Sequence, residues 1–255
     1  MEQPKSKSIA KTQENIRTLL GVHGIAGEVV TVSPARTTQE LVEMGFSKNY
    51  STIVAVGSDR HINKISTYLK GKKIALGIIP IEASELIHQL IGTSDIKEAC
   101  EILKYRKLKE INMGLIEPNK YFLTQAELQS PFSVDIKLTV INPGFNSYEV
   151  NTKITEAIIS RNLYLFLTDK NIGNNFLEKT WAKIIGKKVE DKESSIIKGR
   201  KIKIETEEPF PITMDGEIVA KTPIVASLCT RALKVITKSV RIREEKERKN
   251  EQAEN

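Results

Sequence analysis

An apolar, β-branched run, Ile53-Val54-Ala55-Val56, ends at Gly57 and passes at once into a helical pattern carried by Ile62, Ile65 and Leu69. A strand that turns directly into a helix constrains the fold strongly. It is how an α/β sheet aims helix N-terminal N–H groups at an anion, above all a phosphate. The first 110 residues repeat this alternation. Residues 9–20 read as an amphipathic helix broken by Gly21 and Gly24, and residues 27–32 as a short strand. Thr37-Thr38-Gln39-Glu40 is a capping box for a helix ending at Gly45. Residues 52–56 and 74–79 read as buried strands, the second halted by Pro80; residues 84–91 and 95–105 read as helices. Such alternation implies a parallel sheet covered on both faces.

The pattern changes after about residue 110. Residues 111–116, 121–127, 132–141, 147–154, 157–160 and 163–167 read as strands joined by polar turns, with Asn142-Pro143-Gly144 as one turn. Residues 175–185, around Trp181, read as a helical interruption. Strands return at 200–205, 212–214 and 217–221, where Asp215-Gly216 is a hairpin signal, and a last strand is expected at 232–236. From Lys238 onward the chain is charged and almost free of apolar residues, the composition of a frayed helix or a disordered tail.

Composition narrows the function classes. A chain of 255 residues, 40% hydrophobic, can bury one large core or two smaller ones. Its net charge of +7 favours anionic partners. Aromatic residues make up 5% and do not interleave with Lys and Arg, which argues against base stacking, so nucleic acid is not an expected partner. No apolar run is long enough to span a bilayer, and no apolar stretch follows the N-terminus as in a signal peptide. Isolated Cys100 and Cys229 fit a reducing, cytoplasmic setting. His23, His61 and His88 lack metal-ligand spacing.

The segment Gly57-Ser58-Asp59-Arg60-His61-Ile62-Asn63 resembles the phosphate loop of the diacylglycerol kinase family and the related NAD kinases, Gly-Gly-Asp-Gly-Thr, an apolar residue, then Asn. Further pieces follow in family order: Gly77-Ile78-Ile79-Pro80-Ile81, Asp95-Ile96-Lys97-Glu98-Ala99, Ile111-Asn112-Met113-Gly114-Leu115, Tyr121-Phe122-Leu123, and Met214-Asp215-Gly216-Glu217 with Lys221-Thr222-Pro223 and Arg231-Ala232-Leu233-Lys234-Val235. The resemblance implies an α/β N-terminal nucleotide-binding-type domain with a parallel sheet, a β-rich sandwich-like C-terminal domain, and a last strand that returns to the first domain. The boundaries that follow are 1–114 with a returning segment 224–240, 115–223 for the β-rich domain, and 241–255 for a charged tail.

By the same resemblance, Gly57, Ser58, Asp59, Arg60, His61 and Asn63 would bind nucleotide, Asp59 would hold Mg²⁺, and Asp215 with Glu217 would serve catalysis, Asp215 as base. ATP and Mg²⁺ would be the cofactors, and a lipid or other small-molecule hydroxyl the acceptor. The alternative is a catalytically degenerate pseudokinase that binds a lipid, a nucleotide or a protein. Asp59 can instead cap the helix that follows, and Asp215 can simply make a turn. Ser58, Arg60 and His61 replace the family's Gly, Gly and Thr, and Asn112 replaces an aspartate. Arg60 in a slot requiring positive φ would be strained by about 1–2 kcal/mol, while Arg60 and His61 could reach a phosphate with their side chains. The family's opening strand with Asn-Pro-x-Ala-Gly is expected to be absent, and the loop after Pro80 is shortened, leaving Glu85 as a substitute carboxylate. Lys104, Arg106, Lys107 and Lys109, and Lys198, Arg200, Lys201 and Lys203, are two basic groups suited to peripheral contact with the anionic inner face of a membrane. A homodimer is the remaining partner expectation.

Overall fold

The computed structural model describes residues 1–144, 147–169 and 194–238. The expected helix at 175–185 and most of the charged tail lie outside the described residues. The chain divides into two compact units, Met1–Ile111 with Arg231–Asn255, and Asn112–Thr230.

The first unit alternates helix and strand: α1 (Lys7–Val22), α2 (Thr38–Ser47), β1 (Thr52–Gly57), α3 (Asp59–Leu69), β2 (Ala75–Pro80), α4 (Glu85–Ile91) and α5 (Ile96–Tyr105). β1 runs parallel to β2 from the pair Thr52–Ala75 to the pair Gly57–Pro80. The end of the last strand of the chain lies parallel to β2 on its other side, Lys234 opposite Ala75 and Val235 opposite Leu76. The parallel sheet and the returning final strand are therefore as the alternation and the resemblance imply. Each helix has a local cause. Thr37 and Glu40 form the reciprocal capping box of α2, and Asp95 accepts the Glu98 N–H at the start of α5. α3 buries Ile62, Ile65 and Leu69 on one face, the 3–4 spacing of a helix lying on a sheet. β2 is buried along its whole length, as a central parallel strand should be.

The second unit is antiparallel. It contains the end of β3 (Leu108–Ile116), β4 (Lys120–Phe122), β5 (Gln125–Ile141), β6 (Tyr148–Ser160), β7 (Tyr164–Thr168), β8 (Ser194–Lys198), β9 (Lys201–Thr206), β10 (Pro211–Met214), β11 (Glu217–Lys221) and the start of β12 (Ile224–Ile236). Their order is β12-β9-β5-β6-β7-β8, with the β10–β11 hairpin joined to β5 at Thr213–Glu127. Alternating inward residues such as Leu128, Ile136, Leu138, Ile154, Leu165, Ile202 and Ile204 build its core. Gly114 is required by close approach: a Cβ there would sit 2.0 Å from the Phe122 ring.

Several element readings need correction. Residues 121–127 and 132–141 largely belong to two hydrogen-bonded pieces of sheet, and 125–141 is one strand with a register shift between Gln129 and Val134. Residues 147–154 and 157–160 are likewise one strand, β6. Turn-forming Ser130-Pro131 and the polar Thr155-Glu156 interrupt the hydrophobic alternation without ending the pairing. The final strand is longer than 232–236 because its first half pairs with β9. Residues 27–32 form no regular strand. A strand needs a neighbour for its backbone groups, and the backbone of this segment bonds Met1, the Met1 amine to Val30 O at 2.7 Å and Val32 N–H to Met1 O at 3.0 Å, while Glu28 and Thr31 accept from the side chains of Tyr50 and Arg17.

Candidate functional site

The turn after β1 is the natural anion position of the first unit, because it opens α3 with its first N–H groups unpaired by the helix. Gly57 has φ of +152°, a conformation that glycine allows and other residues rarely adopt. Ser58 is the N-cap of α3, but its side chain makes no capping bond. Arg60 lies in the first turn of α3 and is exposed. It is not among the positive-φ residues, so the expected strain is absent: helix α3 begins two residues after Gly57, with Ser58 as its N-cap, and the second glycine of the family loop has no conformational task here. Asp59 neither caps α3 nor reaches a metal cluster. Its carboxylate accepts the Ser84 N–H at 2.7 Å and the Ser84 hydroxyl, joining the β1–α3 turn to the start of α4.

The anion position holds a residue of the chain itself. The Glu2 carboxylate accepts the Ser58 N–H at 2.7 Å. A Cβ on Gly57 would lie 2.5 Å from that same Glu2 Oε2 and 2.7 Å from Glu2 Cβ, so the glycine is needed for Glu2 to lie against it. The segment is anchored further: Glu2 N–H donates to Val56 O at 2.8 Å, and Gln13 Nε2 donates to Glu2 O at 2.7 Å. Burial pushes the Glu2 carboxyl up, but the N–H and hydroxyl of Ser58, with smaller help from His61 and Lys5, hold it below its ordinary value. Glu2 is thus the anion that this helix terminus selects. The cavity bounded by Glu2, Gln13, Gly57, Ser58 and Ile81 is about 10 Å³, room for one water.

His61 is buried and its Nε2 has no hydrogen-bond partner. Burial, then the positive Met1 amine, lowers its pKa to about 4, so it is a neutral imidazole at pH 7 and supplies no charge to a phosphate. Asn63 is buried one turn into α3, where its carbonyl accepts the Ser66 and Thr67 hydroxyls. Among the described residues no group of three or more His, Cys, Asp or Glu side chains is placed to hold a metal. Glu85, in the first turn of α4, faces His88 Nδ1 at 3.6 Å. These residues do not fit a Mg²⁺-nucleotide. The N–H that would meet a phosphate oxygen is taken by a carboxylate, and a phosphate beside that carboxylate would add like charge to it.

In the second unit Asp215 and Gly216 have φ of +49° and +79° and join β10 to β11. Two successive positive φ values define a type I′ hairpin turn, which Asp-Gly suits. The Thr124 hydroxyl donates to Asp215 Oδ1 at 3.4 Å, and Glu217 begins β11. Asn112 donates to Asn162 Oδ1 at 3.1 Å, using its amide as a structural bridge. The basic groups are partly engaged: Arg106 bonds Ser51 O and Thr52 Oγ1, Lys201 pairs with Glu117, Lys203 with Glu205, and Lys198 lies over the Tyr164 ring.

Comparison with known proteins follows the same lines. Residues 3–116 match the family model of the diacylglycerol kinase catalytic domain. The first unit of the chain is thus similar to a diacylglycerol kinase catalytic domain. A solved structure described as a diacylglycerol kinase from Bacillus anthracis str. Sterne shares the fold with a TM-score of 0.70 and 16% identity, covering 93% of this chain and 95% of that one. A second structure from the same organism, whose description assigns diacylglycerol kinase only provisionally, matches with a TM-score of 0.70 and 15% identity over 93% and 96% of the two chains. No curated protein matches. No helix of the described residues is long and apolar enough to cross a membrane.

Gln3-Pro4-Lys5-Ser6 makes the turn from Met1–Glu2 into α1, whose N-cap Ser6 accepts the Ile9 N–H. Glu2 was missed because nothing in a lone carboxylate near a terminus announces that it reaches a loop 56 residues away.

Proposed function

We propose that this chain is a catalytically degenerate member of its family, a pseudokinase that works by binding and does not transfer a phosphoryl group from ATP. The family's reaction is nucleotide-dependent phosphoryl transfer, and such chemistry depends almost wholly on positioning and charge stabilisation at the phosphates. The observation that carries the proposal is the Glu2 carboxylate on the Ser58 N–H, packed against Gly57. A neutral His61, an Asp59 committed to Ser84 and an Asn112 committed to Asn162 support it.

A second reading has its own support in the Asp215-Gly216-Glu217 turn, which keeps the family's carboxylates on the β10–β11 hairpin. In that reading Glu2 leaves the loop when Mg-ATP arrives, Gly57, Ser58, Asp59, Arg60, His61 and Asn63 contact the nucleotide, Asp59 contributes to Mg²⁺, and Asp215 takes the proton of a lipid hydroxyl. Labelled γ-phosphate transfer, run on the whole chain with mixed anionic and neutral lipid vesicles, separates the two. The pseudokinase reading expects no labelled lipid from the wild type or from Asp215→Asn. Labelled lipid that disappears in Asp215→Asn would establish the kinase.

A further inference from the structure

Strand β6 ends in the turn Ser160-Arg161-Asn162-Leu163, and β7 follows at once. The turn is firmly held. Leu163 N–H donates to Ser160 O at 2.8 Å, Tyr164 N–H to the Ser160 hydroxyl at 3.1 Å, and Arg161 N–H to Thr124 O at 3.1 Å. Leu163 is buried at φ of +56°, a conformation that a bulky side chain rarely adopts. Gly199 N–H donates to Leu163 O at 3.3 Å, which brings the β8–β9 turn alongside. Arg161 stands two residues before the acceptor of that bond, and Lys198 and Arg200 flank its donor. All of these residues belong to the second unit.

Neighbouring Lys201 and Lys203 are neutralised by Glu117 at 3.0 Å and Glu205 at 2.7 Å. The side chains of Arg161, Lys198 and Arg200 have no hydrogen-bond or ion-pair partner among the described residues. Lys198 and Arg200 are exposed, so water solvates them, and the Lys198 Nζ is steadied 5.3 Å from the centre of the Tyr164 ring. Arg161 differs from them because it is partly buried. Burial pulls its guanidinium below the ordinary value, and no carboxylate raises it again. Asp215, linked to this turn through Thr124, accepts the Thr124 hydroxyl and not Arg161. A cation withdrawn from water is normally paired. Here the desolvation is offset by no carboxylate among the described residues, and two further cations strengthen the positive field at the same place.

We propose that Arg161, Lys198 and Arg200 form a binding site for a phosphate monoester. The planar guanidinium presents a fork that meets two phosphate oxygens at once, and the two exposed cations supply the charge that a dianion needs. A singly charged carboxylate or phosphodiester would leave two of the three cations unmatched. The recognised group is the same whether a lipid headgroup or a soluble molecule carries it. The site does not depend on whether nucleotide binds at Gly57, which lies in the first unit.

The test is a calorimetric titration of the whole chain at low ionic strength with two probes: glycerol 3-phosphate, and phosphatidylcholine vesicles containing phosphatidylinositol 4-phosphate. Saturable binding of at least one probe with a sub-millimolar Kd is expected. Arg161→Gln should weaken it about tenfold or more, and Arg161→Lys nearly as much, because the charge stays but the fork is lost. Arg200→Gln should weaken it several-fold. Lys137→Gln should leave it unchanged, since Lys137 already pairs with Glu149 in the same unit. Binding of the vesicles alone assigns the phosphate to a lipid headgroup, and binding of glycerol 3-phosphate assigns it to a soluble ester. The proposal is overturned by no binding of either probe at millimolar phosphate, or by Arg161→Gln binding as the wild type does. Equal weakening by Lys137→Gln and Arg161→Gln, or equal binding of charge-matched phosphatidylglycerol vesicles, would reduce the cluster to general surface charge and overturn it too. Should Arg161→Gln fail to fold, wild-type binding by both Arg161→Lys and Arg200→Gln overturns the proposal in its place.

Discussion

Replacing Glu2 by Gln isolates the charge that sits on the β1–α3 turn. A hydrogen bond from a backbone N–H to a carboxylate contributes about 1.5–3 kcal/mol, against about 1 for a neutral acceptor. The Glu2 side chain is 22% exposed, which with solvent screening brings the expected loss for Glu2→Gln to about 0.5–1.5 kcal/mol. Glu2→Ala, which also leaves Ser58 N–H without its acceptor, should cost about 1–2 kcal/mol. The pH dependence gives the claim a second handle. The folded-state pKa of Glu2 lies below its ordinary 4.5. Its stabilisation is therefore complete above that ordinary value and is lost as pH falls through the lowered one. Urea unfolding of the whole chain at neutral pH should show Glu2→Gln less stable than the wild type, with the gap closing in strong acid. Equal stability at neutral pH, or a gap that persists unchanged in acid, would refute the reasoning.

The Met1 amine is lowered from 8.0 to about 6 by burial and then by Arg17. Between those values the unfolded chain holds a proton that the folded chain does not, so stability should rise with pH from 6 to 8, by about 2–3 kcal/mol in total. A flat denaturation midpoint across that window would contradict it. His61, lowered from 6.5 to about 4, continues the trend: stability falls as pH drops through that interval, and NMR titration of its ring should show no protonation above pH 5. Ile62→Ala, in the fully buried face of α3, should cost about 2–5 kcal/mol in the same urea assay, and a cost under 1 would mean that α3 is not packed as described. Asp215→Val places a β-branched residue at φ of +49° and should destabilise by about 1–2 kcal/mol, while Asp215→Gly should not. Equal effects of the two would remove the turn from the account.

The fold was legible where periodicity is strong. The capping box at Thr37–Glu40, the run Ile53–Val56 and the Asp215-Gly216 turn each carry a local physical cause that survives in the structure. Strand bounds in the second unit were less legible because pairing continues through Ser130-Pro131 and Thr155-Glu156, held by partners far away in sequence. The candidate site was half legible. Gly57 could be read as the close-approach position, but not what approaches it. The bonds from Glu2 to Ser58 and from Asp59 to Ser84 span 56 and 25 residues, and no spacing rule predicts such contacts. The strand expected at 27–32 failed for the complementary reason: its propensity is real, but its backbone pairs with Met1 at Val30 and Val32 and with no strand among the described residues.

Calorimetric titration of the whole wild-type chain with Mg-ATP tests the central claim most directly. With Glu2 on the Ser58 N–H the account predicts no heat of binding up to millimolar nucleotide. Binding in the micromolar to sub-millimolar range, about −5 to −8 kcal/mol, would contradict it and return the chain to the active kinases.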